Sequence, residues 1–361
     1  MQTIPPGAAR NFDEPIHGRM ELPSLTITGY SLALHDPQDP DEGFIGDRAS
    51  RGAFTAILDA WRAVLRRMGD DPLGRRPSAD LGKKRLDALL QEGGDAAAVI
   101  RAAVEDYALQ LASVVRRFQR QQTWHGVDRI VVGGGFQQSR VGRLAVKRTA
   151  ALLRQGKHKA RVDMHTLHHD ADEGGLIGWL HLAPPGLLRG YDALLAVDIG
   201  GTNLRCGIVR SRLHQAADLS KADVVGLEKW AHADDEDATR REDLVEGLAQ
   251  RLAGLIALAR RKRITLAPFI GVACPGLICE DGSIAGGAQN LPGNWESARF
   301  HLPGRLVECF PSIGGGATQV LLHNDAVVQG LSELPRMVGV KRWAILTVGT
   351  GLGNASFVNR R

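Results

Sequence analysis

Apolar positions recur at helical spacing from Ala49 to about Arg67, where Phe54, Ile57, Leu58, Trp61 and Leu65 fall on one face. A second helix is predicted from about Asp95 to Gln121, through Val99, Ile100, Val104, Leu109, Leu111 and Val114. Arg129-Ile-Val-Val132 reads as a short buried strand, followed by Gly133, Gly134 and Gly135 and then a helix from about Ser139 to Arg154. A strand near Ala160 to Leu167 and a short apolar helix, about Leu176 to Leu182, come before the break at Pro184-Pro185-Gly186. Beyond it the pattern turns strand-rich. Ala193 to Val197 is continuously apolar and ends in Asp198, and Leu204 to Val209 follows as a second strand. Leu244, Leu248, Leu252, Leu255, Ile256 and Leu258 mark a long helix from about Arg241 to Arg261. Pro268 to Ala273 reads as a strand, His323-Asn324-Asp325 leads into a helix, and Trp343 to Val348 is a strand. Residues 1 to about 45 show neither period and read as a surface arm or a functional loop. No tandem repeat is visible, and the strand–helix alternation predicts an α/β protein.

Bulk properties narrow the class. The 361 residues suffice for two lobes with separate cores. The net charge of +5 is spread along the chain, with only small clusters such as Arg260-Arg261-Lys262-Arg263, so a nucleic-acid partner is not expected. No apolar run approaches the roughly 20 residues that span a bilayer, and Met1 to Met20 holds no apolar signal segment. Cys206, Cys274, Cys279 and Cys309 match no zinc spacing and read as reduced thiols of a cytoplasmic protein.

Much of the glycine, 43 residues in all, lies in short clusters. Three apolar strands run into such clusters: Asp198-Ile-Gly-Gly-Thr202, Gly133-Gly134-Gly135 and Gly349-Thr-Gly-Leu-Gly353. Without a Cβ in the way, backbone N–H groups can crowd around an anion. Each turn alone also fits a bare change of direction. None ends in the Gly-Lys-Ser/Thr of a P-loop, and the spacing from Gly133 fails the dinucleotide fingerprint at Gln138. The turn after Asp198 opens a strand, so it is a hairpin. A carboxylate at such a strand end can hold the water shell of Mg²⁺, an ion that prefers oxygen ligands and keeps several waters.

Asp198-Ile-Gly-Gly-Thr-Asn-Leu-Arg205 resembles the first phosphate motif of the ROK family, which contains sugar kinases, glucokinases among them, and related repressors. Cys274-Pro-Gly276 and Gln289-Asn-Leu-Pro-Gly-Asn-Trp295 resemble its sugar-binding loops. His323-Asn-Asp-Ala326 resembles the segment holding its catalytic aspartate, and Thr347-Val-Gly-Thr-Gly-Leu-Gly353 its second phosphate motif. The remaining motifs lie in front. Ile130-Val-Val-Gly-Gly-Gly135 resembles the family's adenosine motif, Asp172-Glu-Gly-Gly-Leu-Ile-Gly178 its closing helix, and Glu14-Pro-Ile-His17 its Glu-x-x-His loop. The order implies a circular permutation, with the usual termini joined near Pro184 to Asp192 and new ends opened after the second phosphate turn.

The resemblance implies a two-lobed actin/hexokinase-like, ribonuclease H-like α/β fold, circularly permuted. Residues 1–167 with 326–361 would form the larger lobe and 168–325 the smaller. It implies ATP-dependent phosphorylation of a hexose hydroxyl, with Asp325 as general base. Asp198, Gly200, Gly201, Thr202, Gly349, Thr350, Gly351 and Gly353 would hold the phosphates of ATP, with Gly133, Gly134 and Gly135 against the adenosine. Asp198 would hold Mg²⁺ through water. Asn290, Asn324, Glu14 and His17 would bind the sugar, and a homodimer is the assembly it allows. The family's cysteine-rich zinc loop has no counterpart between Arg19 and Gly46, so no structural zinc is expected; Tyr30 to Gly46 would fill its place, with Asp47 as a further sugar-binding carboxylate. Each residue has a plainer role: Asp325 as a helix N-cap, Asn290 as a turn former, Glu14 and His17 as solvated loop residues, and His168-His169-Asp170-Ala-Asp172 as a cap. Arg205 supports either the hairpin or the phosphates. A non-catalytic sugar-binding regulator, or an actin-fold ATPase with another substrate, are the competing functions.

Overall fold

A computed structural model describes residues 16–36, 39–155, 162–184 and 186–360. Glu14 lies outside them. Two five-stranded mixed sheets dominate the described residues. The first, the Asp198 sheet, runs in the order Gln319–Asn324, Leu266–Cys274, Ala193–Ile199, Leu204–Arg210, Asp223–Trp230. Its first three strands are parallel and its last two antiparallel. The second, the Gly133 sheet, runs Leu25–Tyr30, Leu352–Asn359, Arg342–Val348, Arg129–Gly133, Asp163–Thr166. Here too a central strand, Arg342–Val348, has two parallel strands on one side and, on the other, an up-and-down pair in which each strand is antiparallel to the one before it.

The two sheets therefore share one arrangement, that of a two-lobed actin/hexokinase-like, ribonuclease H-like α/β fold. They differ in how the chain fills it. The Asp198 sheet is laid down in a single pass. In the Gly133 sheet the central strand and its hairpin partner come from residues 342–359, while the other three strands come from residues 25–166.

Side chains alternate between layers, as strand geometry requires. Ile130 and Val132 pack toward the helices Arg51–Arg67, Gly94–Phe118 and Arg140–Leu153, and Val131 toward the opposite face. Leu194 and Ala196 face that same central layer, while Leu195 and Val197 pack against the helix Arg241–Lys262. Between the sheets lie two short helices, Ala171–Ile177 and Asp325–Leu331, with Trp179–Leu182 beside them. They touch backbone to backbone: a Cβ on Gly178 would sit 1.7 Å from the Val328 carbonyl oxygen. Trp179 similarly covers Gly271, leaving only 2.1 Å for a Cβ.

Several elements differ from the pattern reading. Leu25–Tyr30, within the stretch read as irregular, is an edge strand; Leu25 and Ile27 are buried, and the alternation in Leu-Thr-Ile-Thr is its signal. Asp223–Trp230 is another edge strand, half-buried on both faces and so without clear alternation. Leu352–Asn359 continues past the glycine turn, so that turn is a hairpin like the one after Asp198. The helix read from Leu176 starts at Ala171, because Asp170 accepts a hydrogen bond from the Asp172 N–H (2.9 Å) and caps it. Lys83–Glu92 forms a further helix. It follows a loop pinned by Arg62, a fully buried guanidinium bonded to Asp71, Ser78 Oγ and the carbonyls of Gly74 and Arg76.

Candidate active site

One cavity of about 530 Å³ opens between the sheets, at the ends where the two hairpin turns project. The turn after Asp198 forms because Ile199 pairs with Leu204 across it, and the Gly200 N–H closes it on the Asn203 carbonyl (2.9 Å). The turn after Val348 is built alike, with Val348 paired to Leu352 and the Gly349 N–H bonded to the Gly351 carbonyl (2.9 Å). Asp198, Gly200, Gly201, Thr202, Gly349, Thr350, Gly351 and Gly353 all line the cavity.

Gly134 and Gly135 line it too. Gly134 has φ +82°, and a Cβ there would lie 2.3 Å from the Val348 carbonyl oxygen, so only glycine lets the Gly133–Gly135 turn lie against the turn after Val348. Gly133 sits behind the wall, against the side chain of Gln329. Asn290 contributes from the Gln289–Trp295 loop, whose backbone approaches Gly201.

Asp325 and Asn324 divide the work at their helix terminus. Asn324 is the N-cap, with Oδ1 accepting from the N–H groups of Ala326 (3.0 Å) and Val327 (3.3 Å). Its Nδ2 donates to Ser31 Oγ and to the Gly276 carbonyl, both at 3.1 Å. The Asn324 amide is thus committed to protein partners, although it borders the cavity. Asp325, the first helical residue, borders the cavity as well, with Oδ1 accepting from the Ala326 N–H (2.9 Å). Burial, and then the charge of Asp198, push its carboxyl up to about 6. Burial raises the Asp198 carboxyl as well, opposed by Arg205.

Arg205 donates to Asp198 (3.4 Å) and pairs with Asp172, which also receives Lys229 Nζ at 2.8 Å. Arg205 therefore braces the hairpin while lining the cavity. Lys83 was not visible as a site residue in the sequence. Its Nζ reaches the Gly135 carbonyl (2.8 Å) and Gln138 Oε1 (3.4 Å), and Gln138 reaches on to Asp170 (2.8 Å). Burial and the nearby charges of Lys229 and Arg51 lower its pKa. Lys83 thus stands at the Gly133–Gly135 turn and Arg205 beside the turn after Asp198. They come from distant segments, so no local pattern marks them.

His17 does not line the cavity. Its Nδ1 accepts from the Leu322 N–H (3.0 Å), and its ring packs near His301 and under Gly282. Asp47, by contrast, borders the cavity beside Ser31, Leu32, Ala33, Phe44 and Gly46, so part of the Tyr30–Gly46 stretch forms one wall. Asn354 ties that wall down, bonding both the N–H and the carbonyl of Leu32 (3.0 and 3.1 Å). Among the described residues no group of three or more His, Cys, Asp or Glu is placed to hold a metal ion, and no helix is long and apolar enough to cross a membrane.

No protein-family model matches the chain, and no curated protein matches it. Solved structures do. A protein of Cytophaga hutchinsonii provisionally assigned as a sugar kinase aligns at 19% identity and TM-score 0.34, over 46% of this chain and 48% of its own. A Listeria monocytogenes protein provisionally assigned as an N-acetylmannosamine kinase aligns at 23% identity and TM-score 0.32, over 46% and 47%. A Ppx/GppA family member of Aquifex aeolicus aligns at 9% identity and TM-score 0.30, over 70% and 87%. The alignments thus span about half the length of the first two proteins.

Proposed function

We propose that this chain is an ATP-dependent sugar kinase that transfers a phosphoryl group to a hexose hydroxyl in the cytoplasm. The observation that carries the reading is the convergence of Asp198, Asn290, Asp325, Gly351 and Gly134 on one cavity. Phosphoryl transfer depends on positioning and charge stabilisation more than on covalent chemistry by the protein. Two hairpin turns rich in backbone N–H groups, facing one space, suit the phosphates of ATP. Thr202 and Thr350 add hydroxyls, and Gly134 and Gly135 leave room for the adenosine. The sugar would lie toward Asn290 and Asp47. Asn324 would act by fixing the backbone from which Asp325 projects.

Asp325 takes the proton of the attacking hydroxyl; that oxygen bonds to the γ-phosphorus, and the bond to the oxygen retained by ADP breaks. A carboxyl held near 6 is ionised at neutral pH and basic enough to accept that proton. Mg²⁺ fits the residues present: Asp198 offers a carboxylate to the cavity, and Gln329, which lines the same cavity, has a buried Oε1 without a hydrogen-bond partner. Bound there, the ion would neutralise charge on the phosphates.

We further infer that the chain is a circular permutant of the ROK arrangement, with lobes divided near residues 167 and 325. The shared arrangement of the two sheets, one filled in a single pass and the other from both ends of the chain, supports this.

ADP release measured over a panel of glucose, mannose, fructose, glucosamine and N-acetyl hexosamines tests the reading. Sugar-dependent release with at least one member is expected. A sugar that binds without turnover would favour a regulator, and release indifferent to sugar would favour another ATPase.

A further inference from the structure

Gln329 stands four residues after Asp325 on the same short helix, and so on the same face. Its side chain is 6% exposed, yet it borders the cavity. Nε2 donates to the Ala171 carbonyl at 3.5 Å. That carbonyl fixes the orientation of the amide, because the opposite one would set oxygen against oxygen. Oε1 is left buried and without a partner. A buried acceptor in that state is destabilising unless a ligand or water brings a donor.

The neighbourhood indicates which donor. A Cβ on Gly133 would lie 2.0 Å from Oε1, so the Gly133 turn is glycine where this oxygen stands. Gly174 and Gly175 are consecutive on the helix Ala171–Ile177. A Cβ on Gly174 would lie 3.4 Å from Gln329 Cγ, and one on Gly175 2.9 Å from Asp198 Cγ. Gly175 thus makes room for Asp198, while Gly174 is packed most tightly by Leu167 Cδ2 (2.8 Å) with Gln329 in ordinary contact, so consecutive positions of one helix touch both oxygen-bearing side chains, one charged and one neutral. Phosphate oxygens carry no hydrogen at neutral pH when bound to a cation, so they cannot satisfy an amide oxygen. Water on a divalent cation can, and a hydrated Mg²⁺ takes outer contacts of this kind.

We propose that Gln329 is a positioning residue for the hydrated divalent cation that accompanies the nucleotide, its Oε1 accepting from a cation-bound water beside Asp198. This rests on the nucleotide reading above. A neutral acceptor suits the position, since a third carboxylate there would add negative charge beside Asp198 and Asp325.

Calorimetric titration with ADP, in EDTA and again in excess Mg²⁺, tests the proposal. In the wild-type protein Mg²⁺ is expected to tighten ADP binding. In Gln329→Met, which keeps the length and loses the acceptor, that tightening should shrink about tenfold, with binding in EDTA unchanged. Gln329→Leu, which also removes the acceptor, should show the same loss of the Mg²⁺ effect, and it serves if the methionine variant fails to fold. Equal weakening with and without Mg²⁺ in Gln329→Met would reveal a packing role and overturn the proposal, as would an unchanged Mg²⁺ effect. A wild-type protein that binds ADP in neither buffer would overturn both the proposal and the nucleotide reading.

Discussion

Asp198 and Asp325 stand at the same end of one sheet, two strands apart, and the charge of the first helps hold the carboxyl of the second near 6. Asp198 pairs with Ala273, Ala273 with His323, and Asp325 follows two residues on. Parallel pairing across three strands thus delivers two carboxylates to one cavity.

The pH–rate profile should record this relationship. A base must be ionised to act, so kcat/KM for the sugar should fall on the acid side, about tenfold per pH unit below about 6. Asp198→Asn removes a charge that raises the Asp325 pKa. Its residual activity should have an acid limb displaced to lower pH. A limb that stays in place would detach the two residues.

Stability should respond with the opposite sense. The native carboxyl titrates above its unfolded value near 3.9, so its contribution to stability is complete below that value and is lost as the pH rises through about 6. Asp325→Asn abolishes that loss. Chemical denaturation at pH 7.5 should show the variant more stable by about 2–3 kcal/mol, with the gap closing by pH 4.

The two asparagines should separate. Asn290 is an exposed side chain at the cavity, so Asn290→Ala should raise the sugar KM about tenfold, the worth of one or two hydrogen bonds, without moving Tm. Asn324 is 2% exposed and holds four protein hydrogen bonds. Asn324→Ala should cost about 2–3 kcal/mol of stability. Thermal melts with sugar kinetics distinguish the pair.

Glycines with the same backbone conformation should differ as widely. Gly339, at φ +80°, has open space around it, so Gly339→Ala should cost about 1 kcal/mol from backbone strain alone. Gly134, at φ +82°, abuts the Val348 backbone. Gly134→Ala should cost about 2 kcal/mol more and weaken nucleotide binding, read by denaturation and by ADP titration.

The glycine turns and Asp325 were legible because each motif is local: an apolar strand, a turn, then a chemical group. The front segments were read the same way, since a motif keeps its local pattern wherever it stands in the chain. The edge strands were not legible. Asp223–Trp230 is half-buried on both faces and carries no alternation, and Leu25–Tyr30 gains its place only by pairing with residues 355–359 at the far end of the chain. Lys83 and Gln329 escaped for a related reason. A lysine that begins a helix and a glutamine inside an apolar one look ordinary until Gly135 and Gly133 are brought beside them. His17 shows the converse: a motif residue whose ring nitrogen is taken by the Leu322 backbone.

The most direct measurement is steady-state ADP formation by wild type and Asp325→Asn with whichever sugar supports turnover, alongside calorimetric binding of that sugar to both. The account predicts comparable sugar affinity and a loss of turnover on the order of 10²–10⁴-fold, the usual contribution of a general base. Turnover by Asp325→Asn within a few-fold of wild type would contradict it.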